Sequence, residues 1–148
     1  MLHARIRKRL GSGNGHAVTI DVDLEADCAV TVLFGSSGAG KTSILRCIAG
    51  ILVPDAGRVE LDGEVYFDSE AGVNLSLSRR KVGYVFQNHL LFPHWTAEQN
   101  ILYGARPGGG HSARGRVREL LSMLGIEKTA DRYPHQLSEG EQQRVALA

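Results

Sequence analysis

The chain has 148 residues, of which 43% are hydrophobic and 22% charged, with a formal net charge of +1. That is the balance of an ordinary globular domain, with no basic excess to suggest a nucleic-acid partner. No apolar run approaches the roughly 18 residues of a membrane span, so contact with a membrane is expected only through a partner.

Residues 1–10 carry Arg5, Arg7, Lys8 and Arg9 but lack the apolar core of a secretory signal, and the alternation of Leu2, Ala4 and Ile6 predicts an edge strand. Cys28 to Phe34 (CAVTVLF) is a near-continuous apolar run and predicts a parallel strand buried on both faces. Directly after it, Gly35, Ser36, Ser37, Gly38, Ala39, Gly40, Lys41 and Thr42 meet the phosphate-loop pattern G-x-x-x-x-G-K-[ST] at every fixed position. A helix is predicted next, with Ile44, Leu45 and Ile48 on one side and Gly50 as its stop. Strand, glycine-rich loop and helix together suit a nucleoside triphosphate. Glycines let backbone N–H groups turn inward, and the helix start adds the positive end of a dipole. Lys41 is then expected to reach the β- and γ-phosphates and Thr42 to ligate Mg²⁺. The other reading of the loop is a glycine-rich turn that caps a helix.

Arg58–Leu61, Asp62-Gly63 and Glu64–Phe67 predict a β-hairpin with a tight turn. Lys81–Gln87 is a short β-rich segment ending in an amide, and Asn88–Trp95 is an apolar loop. For that loop two readings stay open: Phe92 and Trp95 pack one subdomain onto the rest, or they form a groove for a partner helix. Thr96-x-x-Gln99 is a capping box that starts a helix through Tyr103, and Arg106-Pro107-Gly108-Gly109-Gly110 breaks it. Val117, Leu120, Leu121 and Leu124 fall at helical spacing before a stop at Gly125. Ser138-x-x-Glu141 is a second capping box, whose plain function is to start a helix and whose further use is to offer uncapped N–H groups to a phosphate. Cys28 and Cys47 predict two buried free thiols, and the six histidines show no metal-ligand spacing.

The phosphate loop, the segment ending in Gln87 and the stretch Leu137-Ser138-Glu139-Gly140-Glu141-Gln142, in this order, resemble the ATP-binding subunits of ABC transporters. The resemblance implies an α/β P-loop NTPase core with an N-terminal antiparallel β subdomain and an inserted helical subdomain, divided as residues 1–95 and 96–148. It implies that ATP and Mg²⁺ are bound by Gly35 to Thr42 with Ser43, and that Gln87 links Mg²⁺ and the attacking water to the membrane partner. Ser138, Gly140 and Glu141 would contact the γ-phosphate held by the other subunit of a head-to-tail homodimer. The implied partners are transmembrane permease subunits and, indirectly, a substrate-binding protein. The implied location is the cytoplasmic face of the inner membrane, as a peripheral subunit, with no nucleic acid involved.

Two departures stand out. The usual signature is Leu-Ser-Gly-Gly-Gln, whereas Glu139 and Glu141 occupy its third and fifth places here. No Phe, Tyr or Trp lies between Leu2 and Leu24 to stack on adenine, leaving His3, His16 and arginines as the available planar groups. Outside the general motifs, Val65–Ser69, Gly72–Leu75, Arg79–Gln87, Leu91–His94, Asn100–Gly104, Leu124–Ile126 and Asp131–Pro134 resemble molybdate-importer ATPases. Sulfate, iron and polyamine importers share much of this pattern. A soluble ABC ATPase and a non-enzymatic nucleotide binder are the readings from other classes. The family continues with a strand carrying an Mg²⁺-organising aspartate and a catalytic glutamate, then a switch histidine. No apolar run ending in Asp-Glu occurs in residues 1–148. The chain is therefore expected to be the C-terminally truncated, N-terminal part of a longer ATPase, lacking its general base and inactive alone.

Overall fold

The computed structural model describes residues 1–11, 17–27, 29–105 and 112–148. Cys28, His16 and the 106–110 helix breaker lie outside the described residues. The chain divides into two compact units, Met1–Gly83 and Tyr84–Ala148.

The first unit is built on strands β1 (Leu2–Leu10), β2 (Val18–Ala26), β3 (Ala56–Leu61), β4 (Glu64–Asp68) and β5 (Val73–Asn74), with helix α1 (Lys41–Ala49) between β2 and β3. The sheet is antiparallel throughout, in the order β2-β1-β3-β4-β5. Alternation along β1 and β2 sends apolar side chains to one face and charges to the other, with Lys8 the exception on the apolar side, where its Nζ reaches Asp55 Oδ1. Ala4, Ile6 and Ile20 join Val59, Tyr66, Phe67 and the α1 residues Ile44 and Cys47 in one core. On the opposite face, Arg5 lies 3.1 Å from Asp23 and His3 lies 3.1 Å from Glu25, directly across the β1–β2 register. β1 is flanked by β2 and β3, so it is an inner strand and not the predicted edge. The hairpin is as expected: Asp62 and Gly63 both take positive φ (50° and 81°), as a two-residue primed turn requires.

Two further sequence expectations fail in this unit. The run predicted as a buried strand before the phosphate loop is irregular from Ala29 to Ser36, and Val30, Val32 and Phe34 are 80%, 77% and 99% exposed. A strand buried on both faces needs ladder partners beside it and cover above and below. No strand of the described residues pairs with this run, so its apolar content alone does not make it a strand. In α1, Leu45 is exposed and the buried positions are Ile44, Cys47 and Ala49. The face toward the sheet therefore follows the i, i+3 spacing of Ile44 and Cys47, which turns Leu45 outward.

The second unit is helical: α2 (Ala97–Gly104), α3 (Ala113–Met123) and α4 (Glu139–Leu147), with short 3₁₀ turns at Glu127–Thr129 and Pro134–Gln136. Ala97, Ile101, Val117, Leu121, Ile126, Leu137 and Val145 form its core. The Thr96–Gln99 capping box is present on both arms. α3 ends as predicted, with Gly125 at φ 65° and the Ile126 N–H donating to Leu121 O at 2.9 Å. The segment before and through Gln87, read as β-rich, is irregular, and Val82 and Val85 are exposed. It too has no ladder partner among the described strands.

Candidate functional site

The phosphate-loop residues gather at the start of α1. A turn closed by the Ala39 N–H on Ser36 O (3.3 Å) leads into Gly40, the N-cap, and the Ile44 N–H then donates to Gly40 O at 2.9 Å. Gly40 holds φ 89°, and a Cβ there would come within 2.7 Å of Ile20 Cδ1, so glycine is required by both conformation and space. With glycine as N-cap, no side chain caps the helix, and the first-turn N–H groups remain available to an anion. Lys41 Nζ folds over the loop and donates to Gly35 O and Ser36 O, both at 2.7 Å. An ammonium, open N–H groups and a helix dipole thus converge on one turn of backbone. Ser36, Ser37, Gly38, Ala39 and Thr42 are exposed around it, and Ser43 is half-buried behind it.

This arrangement fits a phosphate group. For a divalent cation the side chains of the loop offer hydroxyl oxygens only, among them the exposed Thr42 hydroxyl at the start of α1. Among the described residues no cluster of His, Cys, Asp or Glu could hold a metal ion by itself. A cation there would take its remaining ligands from phosphate oxygens and water, as Mg²⁺ commonly does.

The far end of α1 is fixed by a residue whose role is hidden from sequence inspection. Arg80 is 5% exposed and its guanidinium serves five acceptors. Nη1 donates to Cys47 O (3.1 Å) and Ile48 O (2.9 Å), two carbonyls of the last turn of the helix, while Nη2 donates to Tyr66 O and Asn74 Oδ1 (both 3.2 Å) and Nε to Leu75 O (3.0 Å). A cation at a helix C-terminus complements the dipole. Gly50, the helix stop at φ 86°, leaves room for it, since a Cβ would lie 2.6 Å from Arg80 Nε. Burial pushes the Arg80 pKa down, and burial also pushes the Cys47 thiol up. Cys47 is free and buried, as expected.

Gln87 and the signature residues belong to the second unit. Gln87 is exposed in a turn, followed by His89 and Leu90 at φ 55° and 51°. Ser138 is the N-cap of α4: its Oγ accepts from Glu141 N at 3.4 Å, and Glu141 Oε2 accepts from Ser138 N at 2.7 Å and Ser138 Oγ at 2.8 Å. The hydrogen bond from the Ser138 backbone, then that from its hydroxyl, hold the Glu141 carboxyl below the usual range. Gln142 Nε2 donates to Pro134 O (2.9 Å) and Leu137 O (3.2 Å), locking the preceding turn onto the helix. Ser138, Glu139 and Gly140 are exposed. A Cβ at Gly140 would meet nothing nearer than Arg144 Nη1 at 3.8 Å, so local packing does not demand glycine there.

The loop after Gln87 carries an aromatic cluster. Phe92 lies 4.4 Å from Trp95 and 5.0 Å from Tyr103, ring centre to centre. Trp95, Gln99, Leu102 and Tyr103 line a groove of about 370 Å³. Among the described residues no helix is long and apolar enough to cross a membrane.

Comparison with known proteins bears on the whole chain. The ABC transporter family model matches residues 19–148. The molybdenum import ATP-binding protein ModC of Paramagnetospirillum magneticum (strain ATCC 700264 / AMB-1) is 41% identical over 147 residues, covering 99% of this chain and 39% of its own length. ModC of Escherichia coli (strain UTI89 / UPEC) is 43% identical over 147 residues, covering 99% of this chain and 40% of its own. The chain thus spans about 40% of the length of the curated relatives it matches and aligns with them almost throughout. Among solved structures, the post-hydrolysis dimer of the ATP-binding cassette MJ0796, bound to ADP and Pi, superposes with a TM-score of 0.77 at 30% identity, over 99% of this chain and 67% of that one. cbiO1 from Clostridium perfringens, part of the ABC transporter complex cbiONQ, gives a TM-score of 0.71 at 27% identity, over 99% and 59%. With its phosphate loop at the head of α1 and a capped helix at Ser138, this chain belongs to the ABC transporter family, as part of an ABC-type ATPase cassette.

Proposed function

We propose that the chain is the ATP-binding part of an importer subunit that couples ATP binding and hydrolysis to uptake of molybdate. The observation that carries the nucleotide reading is the loop at the start of α1, where Lys41 Nζ bridges the Gly35 and Ser36 carbonyls and no side chain caps the first turn of the helix. The substrate reading is supported by 41–43% identity to ModC proteins.

In this reading Gly35 to Ser43 cradle the triphosphate of ATP. Lys41 exchanges its two carbonyl partners, Gly35 O and Ser36 O, for phosphate oxygens when nucleotide arrives. Thr42, joined by Gln87, would hold Mg²⁺, which when bound neutralises charge on the β- and γ-phosphates. Ser138, Gly140 and Glu141 act at the site of the second copy in a homodimer: the exposed α4 start presents N–H groups to phosphate, and the absence of a side chain at Gly140 admits close approach. Glu141 keeps the N-cap ordered, and Glu139 points its charge to solvent, where screening weakens its effect on a bound phosphate. The groove beside Phe92 and Trp95 receives a helix of a transmembrane permease, placing the protein at the cytoplasmic face of the membrane. A separate substrate-binding protein delivers the oxyanion. Residues 1–148 offer no Asp-Glu pair at the end of an apolar run, so by themselves they are proposed to bind ATP without turning it over.

The test is uptake by cells expressing the intact protein or its Lys41→Ala variant. Loss of molybdate uptake in the variant, with sulfate uptake unchanged, is expected. Intact molybdate uptake together with lost uptake of another solute would overturn the substrate assignment.

A further inference from the structure

One side chain makes four hydrogen bonds to the loop that carries the aromatic surface after Gln87. Residues 88–96 form neither helix nor strand, yet Phe92, Trp95 and the α2 residue Tyr103 sit within ring contact of one another. Asn100, on α2, uses its whole amide to fasten the loop down. Oδ1 accepts from the Phe92 N–H at 2.8 Å, and Nδ2 donates to Phe92 O (3.2 Å), Trp95 O (3.2 Å) and Thr96 O (2.9 Å). The start of α2 is in turn held by backbone bonds from Ala97 N to Arg132 O (2.8 Å) and from Glu98 N to Ala130 O (2.9 Å), in the segment that runs into Ser138. The same helix therefore touches both the loop that bears the groove and the chain that leads to the signature.

We propose that Asn100 is a positioning residue: it holds Phe92 and Trp95 in the shape that receives the permease helix, and it passes the load of that contact to α2. The inference rests on the reading of the groove as the permease contact. An amide suits this geometry, because one atom must accept while the other shares its two hydrogens among three carbonyls. A carboxylate of the same size keeps the acceptor, loses the donors, and sets negative charge against three carbonyl oxygens.

The experiment uses the intact protein assembled with its permease in liposomes, comparing Asn100→Asp and Trp95→Ala with the parent. Two quantities are read: the ratio of permease-stimulated to permease-free ATPase rate, and the emission of Trp95, the one tryptophan among these residues, taken as the difference from Trp95→Phe. Asn100→Asp is expected to lower the stimulation ratio at least fivefold and to shift Trp95 emission to the red, with ATP affinity within twofold of the parent. If Asn100→Asp does not fold, Asn100→Ser, whose hydroxyl still reaches the Thr96 carbonyl one turn back, carries the same expectation. Full stimulation in the Asn100 variant beside lost stimulation in Trp95→Ala would overturn the role of Asn100 and leave the groove standing. Full stimulation in both would overturn the groove reading, and the inference with it.

Discussion

Arg80→Met replaces the guanidinium that holds the end of the phosphate-loop helix by an apolar side chain of similar length. Two of the five acceptors keep another donor after the change: Cys47 O still receives the Gly50 N–H (3.1 Å), and Tyr66 O the Leu75 N–H (2.8 Å). Ile48 O and Leu75 O lose the donor that Arg80 supplies to each, and the fifth acceptor, Asn74 Oδ1, belongs to an exposed residue and can turn to water. A buried polar group left without its partner costs about 1–3 kcal/mol, so the two carbonyls, each only partly buried, set an upper range of about 2–6 kcal/mol. Relief from keeping a cation out of water acts the other way, and burial does depress the Arg80 pKa. The net expectation is a loss of about 3 kcal/mol, measured by urea unfolding of the intact protein. Arg80→Lys should fall between the parent and Met, because an ammonium brings three donors that cannot span acceptors on α1, β4 and the end of β5 at once. A loss below about 1 kcal/mol for Met, or parity between Lys and Arg, would refute the argument that directed hydrogen bonds fix the helix.

At the signature, Glu141→Ala should cost at least as much stability as Ser138→Ala, each about 0.5–2 kcal/mol, because the Glu141 arm of the box is the shorter one; unfolding of both variants by denaturant checks the order. Gly40→Ala should destabilise by at least ~1–2 kcal/mol from the left-handed backbone alone, and the contact with Ile20 adds to it, so thermal unfolding and ATP affinity should fall together. Glu139→Gly should raise ATP-induced dimerisation by less than about tenfold (~1.4 kcal/mol), read by light scattering, because the side chain is exposed. Asp68, through the Ala71 N–H and then Arg58, and Asp55, through the Arg9 N–H and then Lys8, are held below the usual carboxyl range. Their contribution is present above about pH 4 and is lost as pH falls through their lowered values. The melting temperature should therefore drop in acid, and Asp68→Asn should flatten that drop.

Local signals in the sequence were reliable where the chemistry is local. The Asp62-Gly63 turn, the boxes at Thr96 and Ser138, and the stops at Gly50 and Gly125 each depend on a few adjacent residues, and each is present. The Gly35–Thr42 pattern likewise marked the helix start that carries it. Long-range pairing was not legible. β1 alternates as an edge strand would, yet it lies between two neighbours, because its second partner, β3, comes some fifty residues later. The alternation of Val18, Ile20, Val22 and Leu24 that forms β2 is legible in the same way. The apolar run before the loop shows the opposite error, since hydrophobicity marks a tendency to be buried and supplies no ladder partner. The structural roles of Arg80 and Asn100 are not legible in the sequence, because their partners are backbone carbonyls. Arg80 reaches one 33 residues away in sequence, and no residue type in the chain advertises a carbonyl as a partner.

The most direct test of the account is equilibrium binding of ATP–Mg²⁺ to the intact protein and to Lys41→Ala, followed by calorimetry. Charge-assisted hydrogen bonds of the kind Lys41 can offer contribute about 1.5–3 kcal/mol, so the variant should bind roughly 10- to 150-fold more weakly with its melting temperature little changed. Equal affinity in parent and variant would mean that the loop at the head of α1 is not where the nucleotide sits.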